Sequence, residues 1–288
     1  MAQALYGHDD SEEKDMSKLY CSTGAMISKK NDRNYKLIEE YAPKINCDGF
    51  EFLMYDSWYE EWECIAQYLA GIKIDFPVFH VEKQVGELIS RNETGDIEQA
   101  YKLFEINCKM AKMLGAKRLV LHLWGGLPSD WNISINIEQF AILREIAAQY
   151  DLLLMVENVP CNHENPLAHL TRLKNAYPDI SFTFDTKFAQ FHRELDTAFE
   201  EEYQWLWNGA VQHVHINDYA GEYKEWKKLR SLHPGEGKIE FEAFFRELQK
   251  VRYKGTFTIE SSSVNEDGVI NIEKLNKSLK YLRELIED

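Results

Sequence analysis

Residues 152–159 read LLLMVENV, a short apolar stretch with one acid, Glu157, near its end. The stretch follows a segment of helical periodicity at 137–149 and is the length of one buried strand of a parallel sheet. Strand alternation places Leu153, Met155 and Glu157 on one face and the intervening aliphatic residues on the other. The acid therefore shares its face with apolar side chains and lies at the carboxyl end of the predicted strand.

Seven further stretches repeat this pattern, and helical segments separate most of them. The eight predicted strands are LYCSTGAM (19–26), CDGFEFLM (47–54), DFPVFHV (75–81), AKRLVLHL (116–123), LLLMVENV (152–159), ISFTFDT (180–186), VQHVHIND (211–218) and GTFTIESS (255–262). The clearest predicted helices are 97–114, 137–149, 241–251 and 272–286. Eight strands that alternate with helices predict an α/β fold, a closed (β/α)8 TIM barrel. An open doubly wound sheet is the alternative, but no GxGxxG motif follows the first strand.

The composition predicts one domain over residues 1–288, because no linker or low-complexity tract divides the chain. Residues 1–18 are predicted to form a polar, partly ordered extension. Acids near the start and the lack of a long apolar run lead us to expect a cytoplasmic protein that does not bind a membrane. Five cysteines without a CxxC motif agree with a reducing compartment. A net charge of −15 argues against nucleic acid as a partner.

Polar residues at the carboxyl ends of the later strands are the candidates for a functional site, because TIM barrels carry their catalytic groups there. The parity that turns Glu157 toward the interior also applies to Asp185, His215 and Glu260 on the next three strands. His213 shares the row of His215 but lies one layer deeper, and we expect it to be a hydrogen-bonded core residue. Four consecutive strands are thus predicted to bring three carboxylates and one imidazole to one place.

Three carboxylates cannot converge in a partly dry cavity unless a cation or protons offset their repulsion. One divalent metal ion would do so, and oxygen ligands with one imidazole suit Mn²⁺, Co²⁺, Mg²⁺ or Zn²⁺. Taken singly, each acid could instead pair with a helix N-terminus or a basic neighbour. Their shared parity and height favour a metal site.

The ordered strand ends resemble the sugar isomerase and epimerase superfamily of xylose isomerase-like TIM barrels. This superfamily includes ketose 3-epimerases, inosose dehydratases and type IV apurinic endonucleases. The resemblance begins at about Tyr20 and rests on CDGFEF, VFH, LGAKRLVLHLWGG, VENV, FDT, HVHIND, LHPGEGKIEFEAFF and IES. It implies that Glu157, Asp185, His215 and Glu260 hold the metal.

Two departures from the superfamily pattern separate its branches. Endonuclease-like members use a histidine three residues after the strand-six Asp and an Asp-x-His shortly before the GEG turn, where this chain has Phe188, Leu229 and Ser231. A multi-metal endonuclease site is therefore not expected. Ketose 3-epimerases usually keep the same strand-six histidine and use it on the substrate, and His192 is not an obvious replacement.

The predicted chemistry takes place at a carbon next to a carbonyl group. A metal that binds a carbonyl and the adjacent hydroxyl acidifies the C–H between them and stabilises the enediolate. The resemblance makes Glu157 and Glu260 the catalytic base and acid, and leaves Asp185 and His215 as ligands only. We predict a metal-dependent isomerase or epimerase, with dehydration also open, that acts on a ketose, keto-inositol or related polyol. The alternatives are a polyol-binding barrel of reduced activity and a metal-dependent hydrolase.

Five more residues are candidates for contact with the carbohydrate: Glu51, His80, His122, Trp124 and Asp218. His80 and His122 end strands three and four with inward parity. Trp124 precedes two glycines and could form an aromatic wall. Glu51 occupies a position that the resembling proteins keep acidic, and Asp218 could also orient a ligand imidazole.

The remaining polar residues give weaker signals. Asp56 and Lys83 are interpreted as solvated loop residues, and the chain contains no phosphate-binding motif. The expected partner is a small carbohydrate, and self-association into a homo-oligomer is left open.

Overall fold

The computed structural model describes residues 17–287, whose eight parallel strands close into one barrel in sequence order. The strands are β1 (Leu19–Ser22), β2 (Phe50–Leu53), β3 (Val78–His80), β4 (Arg118–Leu121), β5 (Leu153–Glu157), β6 (Ser181–Asp185), β7 (Val211–Ile216) and β8 (Thr256–Ile259). The predicted (β/α)8 TIM barrel is confirmed.

Helices follow the strands, and neighbouring helices pack against one another around the barrel. Their bounds are α1 (Leu37–Tyr41), α2 (Trp62–Ala70), α3 (Gln84–Arg91), α4 (Asp96–Met113), α5 (Ile133–Gln149), α6 (Pro166–Ala176), α7 (Thr186–Phe191), α8 (Phe241–Lys250) and α9 (Ile272–Glu287). The helix predicted at 97–114 is α4, and Gly115 follows it with a φ of +80°, a conformation that favours glycine.

Every predicted strand is present, but each is shorter than its apolar stretch. The first stretch, 19–26, shows the reason: the Ser22 hydroxyl accepts a hydrogen bond from Gly24 N at 3.1 Å, and the chain enters a 3-10 turn at Thr23–Ala25. The turn stays buried although its residues no longer pair with a neighbouring strand. Apolar composition therefore marks burial, and the local cap decides where the strand ends.

The barrel interior has an apolar layer below a polar one. Tyr20, Val78, Val120 and Met155 form a small buried cluster inside the barrel, separate from the larger core between strands and helices. Burial of each such side chain contributes about 1.5–3 kcal/mol. This apolar packing stabilises a barrel that also buries several charged side chains at its upper end.

No helix within residues 17–287 combines the length and the apolar composition that crossing a membrane requires. The extension predicted for residues 1–18 lies almost entirely outside the described residues, and Asp288 lies outside them as well.

Candidate metal centre and active site

The carboxyl ends of β5 to β8 bring Glu157, Asp185, His215 and Glu260 together at the barrel mouth. We call these four residues the mouth cluster. One potential ligand atom from each lies within 4.8 Å of those from the other three. Glu157, Asp185 and His215 are at most 1% exposed, and the Glu260 side chain is 15% exposed. All four side chains therefore lie where strand alternation predicts them.

The His215 ring lies between two sets of carboxylates. Its Nδ1 is 2.6 Å from Glu157 Oε1 and 3.5 Å from Glu260 Oε1, whereas its Nε2 is 3.1 Å from Glu51 Oε2. A buried acceptor on one imidazole nitrogen fixes the ring orientation and the tautomer, and leaves the other nitrogen free to bind a metal. Glu51 thus orients the ring, and Nδ1 is the nitrogen that faces the mouth cluster.

Asp185 serves two purposes with its two oxygens. Its Oδ1 accepts a hydrogen bond from Phe188 N at 2.9 Å and so caps α7. Its Oδ2 accepts a hydrogen bond from the Asn217 amide at 2.9 Å, and the same amide nitrogen donates to Glu260 Oε2 at 2.8 Å. The helix-capping interpretation of this acid is therefore correct for one oxygen, while the other faces the mouth cluster.

The electrostatics of the mouth cluster are dominated by burial and by like charges. Burial raises the pKa of Asp185 to about 7, and the nearby Glu157 and Glu260 contribute to the increase although Lys187 opposes it. Burial alone would lower the pKa of His215, but the surrounding carboxylates raise that pKa well above its ordinary value. The site therefore favours the binding of positive charge.

The donors fit a divalent metal ion. Glu157 Oε2 is buried and makes no well-directed hydrogen bond, although His122 Nε2 lies 2.6 Å away. A divalent ion would supply the missing interaction and balance the negative charge. Carboxylate oxygens with one imidazole suit Mn²⁺, Co²⁺, Mg²⁺ or Zn²⁺ better than copper or an iron–sulfur cluster.

A cavity of about 420 Å³ opens above the mouth cluster. This volume lies within the range of small-molecule sites. Its polar and charged lining residues include Lys29, Arg33, Asp56, His80, Glu82, Lys83, His122, Glu157, Lys187 and Glu260. The interpretation of Asp56 and Lys83 as solvated loop residues is therefore incomplete, because both border the cavity.

His80 and His122 line this cavity, as the inward parity of β3 and β4 predicts. Their rings lie 5.0 Å apart, and His80 Nε2 is 3.6 Å from Glu157 Oε2. Burial lowers the pKa of His122, whereas for His80 the nearby Glu157 overcomes burial and raises the pKa to about 8. The surroundings of the two imidazoles thus differ in how strongly they favour the protonated ring.

Glu51 and Trp124 do not border the main cavity. Glu51 is fully buried beneath His215, and His213 Nε2 lies 2.9 Å from its Oε2. The predicted contact of Glu51 with substrate is therefore wrong, because imidazole rings cover the carboxylate. Trp124 is also fully buried and donates from Nε1 to Val159 O at 3.3 Å, and it lines an adjoining cavity of about 270 Å³.

Deeper in the barrel, His213 is the hydrogen-bonded core residue that the sequence predicts. Its Nδ1 lies 2.7 Å from Thr256 Oγ1 and its Nε2 lies 2.9 Å from Thr258 Oγ1. With both nitrogens paired, His213 has no nitrogen left for a metal ligand.

Asp218 is fully buried and fastens a loop, so its predicted contact with substrate or with a ligand imidazole is wrong. Its carboxylate accepts hydrogen bonds at 2.7–3.0 Å from the backbone N–H groups of Tyr219, Gly235, Gly237 and Ile239. A Cβ at Gly237 would lie 2.2 Å from Asp218 Oδ1, so this position requires glycine. The loop of residues 233–237 (HPGEG) is thereby fixed to the end of β7.

Lys187 is the site residue that sequence analysis missed. Its ammonium lies 3.5 Å from Asp185 Oδ2 and 4.1 Å from the Phe188 ring centre, and donates to Ser231 Oγ at 2.9 Å. The side chain is 8% exposed and lines the cavity. A lysine two residues after a predicted ligand was the available signal, but its long side chain could equally have pointed to solvent.

Phe188 occupies the position at which the resemblance stated above would place a histidine, and its ring helps to line the cavity. His192 does not replace that histidine: its Nε2 accepts from Cys161 N at 3.1 Å, and its Nδ1 lies 3.1 Å from Asn165 Oδ1. Lys187 is therefore an α7 residue whose charged group lies close to a carboxylate of the mouth cluster.

The fold and the site define a class of protein: a closed TIM barrel with a carboxylate-rich candidate metal centre at the carboxyl ends of β5 to β8. Residues 40–285 match the family described as xylose isomerase-like TIM barrel. The match covers well over half of the chain, and the protein belongs to this family.

Among known proteins, an uncharacterized protein of Methanocaldococcus jannaschii is 24% identical over 255 residues, which cover 80% of this chain and 84% of that protein. A D-tagatose 3-epimerase-like protein has a similar structure, with a TM-score of 0.66, 20% identity, and coverage of 94% of this chain and 97% of that one. The IolI protein with a bound zinc atom gives a TM-score of 0.67, 15% identity, and coverage of 94% and 98%. An L-ribulose 3-epimerase gives a TM-score of 0.67, 15% identity, and coverage of 94% and 95%.

Proposed function

We propose that this protein is a divalent-metal-dependent sugar isomerase or epimerase whose substrate is a ketose, keto-inositol or related polyol. The observation that carries this proposal is the mouth cluster itself, in which three carboxylates and one imidazole meet beneath a cavity of about 420 Å³. The names of similar structures, two of which are 3-epimerases or 3-epimerase-like proteins, support a carbohydrate substrate.

Glu157, Asp185, Glu260 and Nδ1 of His215 would hold the metal. When bound, a divalent ion lowers the pKa of the C–H beside a carbonyl and stabilises the negative charge that develops on the substrate oxygens. Ligand type leaves Mn²⁺, Co²⁺, Mg²⁺ and Zn²⁺ as candidates.

Glu157 and Glu260 are the proposed proton-transfer pair, because both carboxylates line the cavity. One removes the proton from the carbon next to the carbonyl, and the other returns a proton to the opposite face in an epimerisation. In an isomerisation the proton returns to the neighbouring carbon. Asp185 is more deeply buried and caps α7, which suits a role as ligand only.

Lys187 is proposed to take over the contact with substrate that Phe188 cannot make. Its ammonium lines the cavity and is fixed between Asp185 and Ser231. A buried cation in this position also offsets the third carboxylate of the mouth cluster, since one divalent ion balances only two. Lys187 would then donate to a substrate hydroxyl or carbonyl oxygen.

The proposal is tested by the exchange of solvent deuterium into ketoses. Protein reloaded with Mn²⁺ is incubated in D₂O with D-fructose, D-tagatose, D-ribulose or a keto-inositol, and loss of C–H signal is followed by NMR. We expect exchange at the carbon next to the carbonyl, and a decrease of about a thousandfold in Glu157→Gln.

The matched control is Glu63→Gln, which removes an exposed acid on α2 and should leave the exchange rate unchanged. Metal binding without exchange on any α-hydroxyketone would instead support the polyol-binding alternative. Turnover of substrates that have no enolisable proton would support the hydrolase alternative.

A further inference from the structure

The two sides of the main cavity differ in charge. The carboxylates of Glu157 and Glu260 lie on the β5–β8 side, whereas the loops after β1 and β3 contribute Lys29, Arg33 and Lys83. The chain as a whole has 48 acidic and 33 basic residues, so basic side chains are the minority type. Three basic side chains, against the two acids Asp56 and Glu82, leave a local excess of positive charge on this side of the cavity.

The acids beside this positive region already have partners. Asp56 forms an ion pair with Arg33, and Glu82 Oε2 accepts a hydrogen bond from Gln84 N at 2.8 Å. Among residues 17–287, no carboxylate oxygen lies within 4.0 Å of the ammonium groups of Lys29 or Lys83. Two cations at the cavity edge are therefore not balanced by ion pairs within the described part of the chain.

Lys83 lies where a cation is locally unfavourable. It is the N-cap residue of α3, and its side chain makes no capping hydrogen bond. The N-terminus of a helix carries about half a positive charge, so a lysine there adds to the helix dipole rather than opposing it. The lysine and the helix end together attract an anion to the cavity edge.

Arg33 is held rigidly in the same region. Its guanidinium lies 4.7 Å from the Tyr55 ring centre and donates from Nη1 to Ser57 Oγ at 3.1 Å. Its side chain is 20% exposed and lines the cavity. A guanidinium held in this way can present its remaining N–H groups to an oxyanion.

We propose that the substrate carries a phosphate or a carboxylate at the end remote from its α-hydroxycarbonyl group, and that Lys29, Arg33 and Lys83 bind this anionic group. The inference rests on the proposed function, because it places the α-hydroxycarbonyl group over Glu157 and Glu260. A molecule bound in this way spans the cavity, with its anion at the loops after β1 and β3. Neutral ketoses fill only the metal side.

The test compares matched neutral and anionic probes by calorimetry on the Mn²⁺-loaded protein. The probes are D-fructose, D-fructose 6-phosphate and 5-keto-D-gluconate. We expect at least one anionic probe to bind about tenfold more tightly than D-fructose at low ionic strength, with the advantage decreasing as salt is added. The stronger of the two anionic probes identifies the group as phosphate or carboxylate.

Substitutions of single lysines test which residues bind the anionic group. Lys29→Met and Lys83→Met should each weaken binding of the preferred anionic probe about fivefold and leave D-fructose binding unchanged. Lys30→Met is the matched control, because Lys30 is an exposed neighbour that pairs with Glu266 and does not line the cavity. The control should bind all three probes like the parent protein.

Two outcomes would overturn the inference: equal affinity for the neutral and anionic probes, or an anionic preference that survives in the Lys29→Met/Lys83→Met double variant. If D-fructose still exchanges its proton and metal is bound, only this inference fails. If no α-hydroxyketone, charged or neutral, exchanges its proton, the proposed function fails instead.

Discussion

Within residues 17–287, side chains of the types that bind metals converge in two regions of the barrel, and the surroundings of these regions differ. One is the mouth cluster, and the other consists of Asp130, Cys161 and His169, which we call the loop cluster. In both clusters the potential ligand atoms lie within 4.8 Å of one another, and the loop cluster is entirely buried. Residue type, distance and burial alone would thus make both of them metal sites.

In the loop cluster the acid is already saturated. Asp130 accepts hydrogen bonds at 2.8–3.0 Å from the backbone N–H groups of Asn162, His163 and Glu164. His169 Nε2 also lies 2.9 Å from its Oδ2. The carboxylate therefore anchors the loop after β5 and has little capacity left for a cation.

In the mouth cluster, one backbone N–H, that of Phe188, reaches a carboxylate. The other carboxylate oxygens meet side chains or one another, and Glu157 Oε2 has no hydrogen bond. The mouth cluster is therefore the stronger candidate for a metal site, because its carboxylate oxygens are less fully satisfied by the protein.

The largest predicted effect separates the clusters by activity. His215→Ala should lower the rate of deuterium exchange on a ketose by about a thousandfold or more, because a ligand is lost. Asp130→Asn should keep the rate within about twofold when assayed in the cold, where the weakened fold persists. Comparable losses of rate in the two variants would erase the distinction between the clusters.

The next largest effect is on stability, where a substitution in the loop cluster should be more damaging than one in the mouth cluster. Asp130→Ala should lower the free energy of unfolding by about 3 kcal/mol, because three backbone N–H groups and the buried His169 lose their acceptor. In metal-free protein, Glu157→Gln should lower the free energy of unfolding by less, because it relieves repulsion among buried acids. Urea unfolding of the metal-free proteins measures both, and a more damaging Glu157→Gln would contradict the account.

The pH dependence of stability should differ in sign between the clusters. His169 and backbone N–H groups outweigh burial and hold the pKa of Asp130 well below its usual range, so its stabilising effect is lost as the solution becomes acidic. The pKa of Asp185 is raised to about 7, so metal-free protein loses stability as pH rises from about 4 toward 7.

These opposite effects can be isolated with amide variants. In metal-free protein, the free energy of unfolding of Asp185→Asn, relative to that of the parent, should be about 1–2 kcal/mol higher at pH 8 than at pH 5. Below pH 4, Asp130→Asn should lose less stability than the parent does. Thermal unfolding across this pH range measures both differences. Parallel pH profiles for the parent and both variants would show that neither carboxyl group has a shifted pKa.

The smallest effect concerns Cys161. Its thiol is buried, and burial raises its pKa, which favours the protonated thiol of a core residue. Cys161→Ala should cost about 1 kcal/mol of stability and leave the metal content unchanged. Loss of metal in this variant would reassign the site to the loop cluster.

Much of the fold and the four residues of the mouth cluster could be predicted from sequence, because strand alternation is a local property. An inward residue at a strand end occupies the same place whatever the loops do, which is why Glu157 and Asp185 are placed correctly. Strand ends were overestimated because buried turns such as Thr23–Ala25 are as apolar as strands.

Contacts across the barrel could not be predicted in the same way. Glu51 meets His215, which is 164 residues away in sequence, and neither local pattern indicates the other. The role of Asp218 was predicted wrongly because its carboxylate accepts hydrogen bonds from backbone N–H groups. Every residue type except proline carries such a group, so the sequence gives no sign of these bonds. Lys187 was missed because the direction of a long side chain depends on packing around Phe188 and Ser231.

Metal binding by the mouth cluster can be measured with plasma mass spectrometry on dialysed parent protein, His215→Ala and Asp130→Asn. We expect about one divalent ion per chain in the parent and in Asp130→Asn, and a sharp reduction in His215→Ala. No metal in any of the three proteins, even after incubation with Mn²⁺ or Zn²⁺, would contradict this expectation.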